Sequence, residues 1–143
     1  MVAASESSSF DGAHADLTER IIGCAFNVHN ELGSGFVEVI SENALAIEFE
    51  RQGIVFQRQV PVEVRYADQL VGQHRLDLLV EGKVIVELKA KDAFSEADTA
   101  NVLSYLKATN LCIALLLNFG TPKLKIKRLG NIEPRIKSSF TSV

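Results

Sequence analysis

Apolar residues recur at helical spacing near the start of the chain. The set between Asp16 and Gly33 consists of Ile21, Ile22, Ala25, Val28 and Leu32. This spacing predicts a helix capped by Asp16 or Thr18 and ended by Gly33, because short polar side chains satisfy the first amides of a helix. His29 lies beside the apolar stripe, and a single histidine there is more typical of a packing residue than of a metal ligand.

The break at 33–35 separates this helix from a second one, predicted from about Phe36 to Gln52. The apolar positions expected to face the core are Val37, Ile40, Ala44, Ile47 and Leu45 or Phe49. Glu38 and Glu42 are four residues apart and therefore project from one side of the helix. That side is either a solvated face or, at Glu38, a carboxylate directed at a cation held elsewhere.

A period of two begins after Ile54 and predicts three strands. The first alternates Val60, Val62, Val64 and Tyr66 with polar residues. Pro61 cannot donate a ladder hydrogen bond, so it predicts an edge, a bulge or the beginning of a strand. A second strand is predicted from about Leu70 to Val80, with Gly72 as a candidate bulge, and a third from Val84 to Lys89 or Ala90. The three form an antiparallel meander.

The helical period returns after Lys91, where Ser95 and Asp98 predict a capping box for a helix that ends at Ala108 or Thr109. The apolar run 111–118 predicts a central strand covered on both faces, and the alternation from 124 to 129 predicts an edge strand protected by lysines. The order ααβββαββ indicates an α/β fold with a mixed sheet flanked by helices. We expect one domain over residues 16–130, with flexible tails at 1–15 and 131–143.

The composition narrows the class of protein. Of 143 residues, 47% are apolar and 23% charged, as in soluble globular proteins, and the net charge of −3 excludes a histone-like electrostatic binder. Cys24 and Cys112 lack the spacing of zinc or iron–sulfur ligands. The apolar run 111–119 is too short to cross a bilayer and residues 1–14 lack the pattern of a secretory signal, so we expect a cytoplasmic protein.

Three charged residues interrupt the apolar runs beside the turn at 81–83, namely Asp77, Glu87 and Lys89. Burying an ionised group without a partner is costly, so their positions suggest a use. Two carboxylates are the hard oxygen ligands that Mg²⁺ or Mn²⁺ prefers, and the Leu88 carbonyl could add a ligand. Lys89 could orient an attacking water and neutralise a phosphate. The alternative is an ion-pair ladder, Asp77–Lys89 or Glu87–Lys89.

The length of the turn decides whether the two carboxylates can converge. A two-residue turn at Glu81-Gly82 would pair Asp77 with Val86 and place Glu87 on the opposite face of the sheet. A three-residue turn, 81–83, would pair Asp77 with Glu87 on one face. The metal hypothesis therefore predicts an odd-length turn or a bulge.

The pattern D-x9-E-x-K on a hairpin, after helices and before another helix, resembles the αβββαβ core of the PD-(D/E)xK nuclease superfamily, the restriction-endonuclease-like fold. More narrowly, the segments LTERIIGCAFNVHNELGSGFVE, ENALAIEFERQGI, RQVPVEV and HRLDLLVEGKVIVELKA resemble the GxxExxY family. The resemblance covers about Leu17 to Leu129.

The resemblance implies a role for several residues. Asp77, Glu87 and Lys89 match the signature positions, and Glu38 matches the glutamate of GxxExxY, which would contribute to the metal site. Tyr105 matches an aromatic residue of the following helix, for which core packing is the alternative, and relatives often carry Gln where Asn101 lies. Three departures are the Ser41 in place of the motif tyrosine, the shorter Asn101, and Leu76 before Asp77 in place of proline.

The resulting expectation is a Mg²⁺- or Mn²⁺-dependent nuclease that hydrolyses phosphodiester bonds of DNA or RNA. Lysines such as Lys107, Lys123, Lys125 and Lys127 would contact the nucleic-acid backbone. The alternative is a catalytically inactive module that binds nucleic acid or protein and keeps the fold. A protein partner and a homodimer are both compatible with the exposed sheet edges, and no membrane association is expected.

Overall fold

The computed structural model describes residues 14–130. Within this range the chain forms three helices and five strands in the predicted order ααβββαββ. The helices are α1 (Ala15–Leu32), α2 (Glu38–Arg51) and α3 (Glu96–Thr109). The strands are β1 (Phe56–Tyr66), β2 (Gln69–Val80), β3 (Val84–Lys89), β4 (Ile113–Asn118) and β5 (Lys125–Gly130).

The five strands form one mixed sheet in chain order, β1-β2-β3-β4-β5. Neighbouring strands are antiparallel except β3 and β4, which are parallel because α3 crosses over between them. Pro61 lies in the edge strand β1, and β5 forms the other edge, where its lysines are exposed. Every residue of β4 is buried, as its continuous apolar run predicted.

Helices cover both faces of the sheet and create two cores. The α1/α2-side core contains Leu45 and Phe49 of α2 together with Leu78, Val86 and Leu88 of the sheet. The α3-side core contains the helix residues Val102 and Leu106 and the sheet residues Leu76, Ile85, Ala114 and Leu116. Glu87 and Lys89 alternate with Leu88 along β3, so they lie on the α3 side.

The predicted N-cap of α1 is wrong, whereas its predicted end at Gly33 and the predicted capping box of α3 are confirmed. Helix α1 begins at Ala15 after His14, which makes no side-chain cap, so Asp16 and Thr18 lie inside its first turn. The Thr18 hydroxyl instead donates to the Ala15 carbonyl at 3.1 Å. In α3, Ser95 and Asp98 form the expected capping box.

The buried face of α2 also differs from the prediction. Val37, Ile40 and Ile47 are exposed, although they follow the helical period. Leu45 and Phe49 are buried as expected, together with three polar residues, Ser41, Glu42 and Glu48. The prediction failed because it treated acids as surface residues, whereas Glu42 and Glu48 receive hydrogen bonds that offset their burial.

The bounds of β1, the bulge near Gly72 and the position of His29 can also be compared with the predictions. Strand β1 begins at Phe56, four residues before the alternation that predicted it, and the ladder between β1 and β2 shifts register next to Gly72. His29 is buried and hydrogen-bonds the Pro122 carbonyl oxygen at 3.1 Å, as a packing residue does.

No helix in 14–130 is long and apolar enough to cross a membrane. The predicted tails fall outside the described residues except at His14 and Ala15, and Ala15 already belongs to α1.

Candidate functional site

The turn between β2 and β3 has the odd length that the convergence of Asp77 and Glu87 requires. Val80 pairs with Val84 and Leu78 with Val86, so the loop consists of residues 81–83. Glu81 and Gly82 both have positive φ, 53° and 65°, which closes the turn, and the Lys83 amide donates to the Val80 carbonyl at 2.9 Å. Continued by one rung, this register would place Asp77 opposite Glu87, although the β2–β3 ladder itself ends at Leu78 and Val86.

Side chains replace backbone pairing where β2 and β3 end their ladder. The last paired residues are Leu78 and Val86, after which β3 continues along β4. The Leu88 amide donates to Asp77 Oδ2 at 2.9 Å, and the Asp77 amide donates to Glu87 Oε1 at 3.3 Å. The two carboxylates therefore occupy the opening between diverging strands, each held by the backbone of the other strand.

This carboxylate pair is electrostatically costly. Glu87 is 6% exposed, and burial followed by the negative charge of Asp77 raises the pKa of Glu87 to about 8. Burial also raises the pKa of Asp77, although the hydrogen bond from Leu88 opposes that shift. Within residues 14–130 neither carboxylate forms an ion pair shorter than 4.0 Å with a cationic side chain. The pair therefore lacks the compensating charge that a buried anion needs.

Lys89 lies on the same face as Glu87 but pairs with a different acid. Its Nζ is 3.9 Å from Asp98 Oδ1, so the predicted ladder alternatives, Asp77–Lys89 and Glu87–Lys89, do not form as direct ion pairs. The positive charge of Lys89 still lowers the pKa of both carboxylates. Asp98 was predicted only as a capping residue of α3. The sequence signal for its pairing with Lys89 was that an acid follows Lys89 at the start of the next helix.

Glu38 approaches the pair from the first turn of α2. Its side chain is largely exposed. Partial desolvation, and after it the negative charge of Asp77, still raise the pKa of the Glu38 carboxyl, whereas the positive charge of Lys89 lowers it. Glu38 therefore lies within electrostatic range of Asp77 and Lys89, and its role toward a cation stays a prediction. Glu42, one turn later, is buried rather than solvated, and its carboxylate accepts from Arg58 Nε at 2.9 Å.

The loop that follows β3 is fixed by a polar clamp that the sequence did not reveal. Asn118 is fully buried, and its Oδ1 accepts from the amides of Lys91 and Gly120 at 3.1 and 3.0 Å, while its Nδ2 donates to the Lys91 carbonyl at 2.9 Å. The Phe119 amide donates to the Lys89 carbonyl at 2.8 Å. A Cβ on Gly120 would lie 2.3 Å from the Lys91 nitrogen, so only glycine permits this approach.

The α3 side of the site carries an aromatic residue and a histidine. Tyr105 is half-buried, and burial followed by the charges of Glu87 and Asp77 raises the pKa of its hydroxyl. Its ring meets that of His74 at 4.6 Å between centroids, edge to face, and His74 Nε2 lies 3.1 Å from Ser104 Oγ. His74 was not predicted as a site residue, and its place three residues before Asp77 was the only signal in the sequence.

The other predicted substrate-binding residues are not in direct contact with the carboxylates. Asn101 lies one turn before Tyr105 and so shares its side of α3. Lys107 is exposed and two residues after Tyr105, which points it toward a different side of the helix. Neither makes a hydrogen bond or ion pair with Asp77 or Glu87 in the described range.

The donor set suits a hard divalent cation that keeps several waters. Two carboxylates converge and a third, Glu38, lies within electrostatic range. Magnesium is usually held by one or two carboxylates rather than by a full protein cage. In residues 14–130 no three or more His, Cys, Asp or Glu side chains lie close enough together to hold a metal ion, so Asp77, Glu87 and Glu38 do not form a ready three-carboxylate site.

Comparison with known proteins identifies the family. The model of the PD-(D/E)XK nuclease superfamily matches residues 15–129, which includes all the site residues described above. No curated protein and no solved structure matches the chain. The match extends over most of the sequence and agrees with the restriction-endonuclease-like sheet and its flanking helices. The chain therefore belongs to the PD-(D/E)XK nuclease superfamily.

Proposed function

We propose that this protein is a Mg²⁺- or Mn²⁺-dependent nuclease that hydrolyses phosphodiester bonds of DNA or RNA at Asp77, Glu87, Lys89 and Glu38. The observation that carries the proposal is the pair of the half-buried Asp77 and the buried Glu87, neither of which has an ion-pair partner within 4.0 Å in residues 14–130. A divalent cation would supply the missing positive charge. Membership of a nuclease superfamily supports the same conclusion.

The cation would be held by Asp77, Glu87 and the carbonyl oxygen of Leu88, with Glu38 approaching from α2. When bound, the ion would act as a Lewis acid that stabilises negative charge on the phosphate. Because Glu87 has a pKa near 8, its carboxyl group must lose a proton before it can serve as a ligand near neutral pH.

Lys89 would orient the attacking water and neutralise charge on the phosphate. Its Nζ is restrained by Asp98, and its backbone is fixed by β4 through Phe119. A preorganised ammonium group stabilises developing charge more effectively than a mobile one, because it needs little reorganisation during the reaction. The Asp98 contact of 3.9 Å is long, so Lys89 is restrained without being neutralised.

Substrate contacts would come from α3. Tyr105 lies beside the carboxylates and could donate to a phosphate oxygen, Asn101 lies one turn earlier on the same side, and Lys107 would contact the backbone of the nucleic acid at a distance from the reacting phosphate. The narrower resemblance to the GxxExxY family agrees with these assignments and stays a prediction.

A cleavage assay tests the proposal. Wild-type protein would be incubated with single- and double-stranded DNA and RNA in Mn²⁺, in Mg²⁺ and in EDTA. Asp77→Asn and Lys89→Ala would be compared with Asp68→Asn and Lys83→Ala, which change exposed turn residues of the same types. We expect the site variants to lower the cleavage rate by about 10²-fold or more, the effect of losing one preorganised charge, and the controls to cleave normally.

Two results would contradict the nuclease mechanism. Inert wild-type protein in every metal would do so, as would equal cleavage by wild type and both site variants. Salt-dependent binding of nucleic acid by an inert wild-type protein would instead support the alternative, a non-catalytic binding module.

A further inference from the structure

In strands β1 and β2, the side of the sheet on which residues of equal parity pack changes at the position of Gln59 and Asp77. In β1, Phe56 packs in the α1/α2-side core but Val60 packs in the α3-side core. In β2, Val80 and Leu78 belong to the α1/α2 side, whereas Leu76 belongs to the α3 side. Residues of equal parity should share a face in a regular strand, so both strands are twisted over between these positions.

No residue is inserted to produce this change. Arg58 pairs with Leu78 and Val60 pairs with Leu76, so the register is the same on both sides of the rung that contains Gln59 and Asp77. The irregularity is instead in the backbone of Gln59, whose φ is +52°. A non-glycine residue with this φ inside a strand is strained and persists only where its surroundings hold it.

The surroundings of Gln59 hold it from both ends. Its Nε2 donates to both carboxylate oxygens of the buried Glu42, at 3.0 and 3.3 Å. Its carbonyl oxygen accepts from Arg75 Nη1 at 3.3 Å. Glu42 is itself fixed by Arg58, so the amide of Gln59 is attached to α2 through a neutralised acid.

Gln59 also lies opposite Asp77 in the ladder register, between the Arg58–Leu78 and Val60–Leu76 pairs. Among the influences on the Asp77 carboxyl, a hydrogen bond from the Gln59 side chain opposes the rise in its pKa that burial produces. Gln59 thus connects α2 to Asp77 at the rung where the strands turn over. Asp77 Oδ2 is in turn directed at the Leu88 amide.

We propose that Gln59 is a positioning residue, which turns Asp77 out of the β1–β2 ladder and directs its carboxylate toward Glu87. The strained backbone creates the turn-over of the strands, and the side-chain amide fixes the orientation of Asp77. The consequence for metal binding rests on the proposed function, whereas the consequence for the Asp77–Leu88 hydrogen bond does not.

Two glycine substitutions in the same strand test this role. Gln59→Gly removes the amide but tolerates the positive φ, so the backbone conformation is retained. Gln57→Gly is the matched control, because Gln57 is also an exposed β1 glutamine but pairs regularly with Leu79. Glu42→Ala is a second test variant, which removes the acceptor that holds the Gln59 amide.

The first readout is amide hydrogen exchange in ¹⁵N-labelled, metal-free protein. We expect Gln59→Gly to speed exchange at Leu88 by about ten-fold relative to Val86 of the same strand, because the Leu88 amide loses a well-placed charged acceptor. Glu42→Ala should give a smaller change in the same direction. A general loss of stability would raise the exchange rates of the Leu88 and Val86 amides by the same factor. The ratio of the two rates therefore distinguishes an effect on the position of Asp77 from an effect on folding stability.

The second readout is Mn²⁺ affinity by calorimetry, where we expect a loss of about ten-fold in Gln59→Gly and none in Gln57→Gly, as for residues that orient metal ligands. A Leu88-to-Val86 ratio and a Mn²⁺ affinity that both equal those of wild type would overturn the inference. If wild-type protein binds no Mn²⁺, the proposed function fails, and the Leu88 ratio alone decides whether Gln59 positions Asp77.

Discussion

Two buried acids on the α3 side of the sheet, Asp98 and Glu87, are almost equally exposed, at 5% and 6%, yet their pKa values shift in opposite directions. Burial alone would raise the pKa of Asp98, but hydrogen bonds from Lys91 and Ser95 outweigh it, and the pKa falls. Glu87 accepts one long hydrogen bond from the Asp77 amide and faces the negative charge of Asp77. Asp98 has more hydrogen-bond donors and is desolvated less than Glu87, so donors and desolvation together separate the two acids.

This difference separates an acid with a structural role, Asp98, from one that fits the proposed cation site, Glu87. Asp98 receives Lys91 Nζ and the Ser95 amide, each at 2.8 Å, and so ties the start of α3 to the end of β3. Glu48 is similar, because hydrogen bonds from Asn27 and Gln52 lower its pKa. In residues 14–130 no cationic side chain forms an ion pair with Asp77 or Glu87. A cation would therefore supply positive charge that the surrounding side chains do not.

The largest effect on stability is expected for Glu87→Gln in metal-free protein. Above about pH 8 the wild type contains a charged, buried Glu87 beside Asp77, which the neutral amide relieves by an amount of the order of a few kcal/mol. We therefore expect the variant to be more stable than wild type in urea denaturation at alkaline pH, and nearly equal to it below about pH 4, where the glutamate is protonated in both the folded and the unfolded chain.

The sign of this pH dependence follows from proton uptake. The folded protein keeps a proton on Glu87 up to about pH 8, whereas the unfolded chain releases it near the ordinary glutamate pKa of 4.5. Between these values the folded state binds more protons, so the stability contributed by neutral Glu87 is lost as the pH rises. A wild-type curve parallel to that of Glu87→Gln across this window would show that Glu87 is not perturbed.

A smaller effect of the opposite sign is expected for Asp98→Ala. Removing this carboxylate breaks the capping box and the ion pair with Lys91, at a cost of about 1–2 kcal/mol. Because the pKa of Asp98 is lowered in the folded state, the loss should be constant above its ordinary pKa of 3.8 and fade as the pH falls below it. Chemical denaturation at a series of pH values measures both features, and a gain of stability in this variant would remove the contrast with Glu87.

The smallest effect is expected at an exposed ion pair, Arg65 with Glu63 in β1, whose side chains are 2.8 Å apart. Glu63→Gln should change the free energy of unfolding by less than about 0.5 kcal/mol, because solvent and salt screen such pairs. The same denaturation measurements apply. A loss comparable to that of Asp98→Ala would mean that donor count does not explain the difference between buried and exposed acids.

Much of the fold could be predicted from the sequence because its signals are local. The period of two in β1, the apolar run of β4 and the Ser95 capping box each depend on neighbouring residues, and the structure has all three. For the turn between β2 and β3 the sequence left a two-residue and a three-residue alternative, and the structure has the three-residue turn 81–83. The superfamily resemblance was confirmed by the family match.

The parts that failed depend on residues far apart in the chain. Glu42 and Glu48 are buried because Arg58, Gln59 and Asn27 supply donors from other elements, which helical periodicity cannot reveal. The positive φ of Gln59 and the Asn118 clamp likewise follow from tertiary contacts. The assignment of Asp77, Glu87, Lys89 and Glu38 as metal and catalytic residues stays a prediction.

We propose that Asp77 and Glu87 form a cation site in which Glu87 stays protonated until the ion binds. Isothermal titration of Mn²⁺ into wild-type protein at about pH 7, in two buffers of different ionisation enthalpy, tests it directly. We expect one site whose occupation releases about one proton, because Glu87 must ionise, and expect Glu87→Gln to lose both the binding and the proton release. Absence of binding in wild type, or equal binding by Glu87→Gln, would contradict the claim.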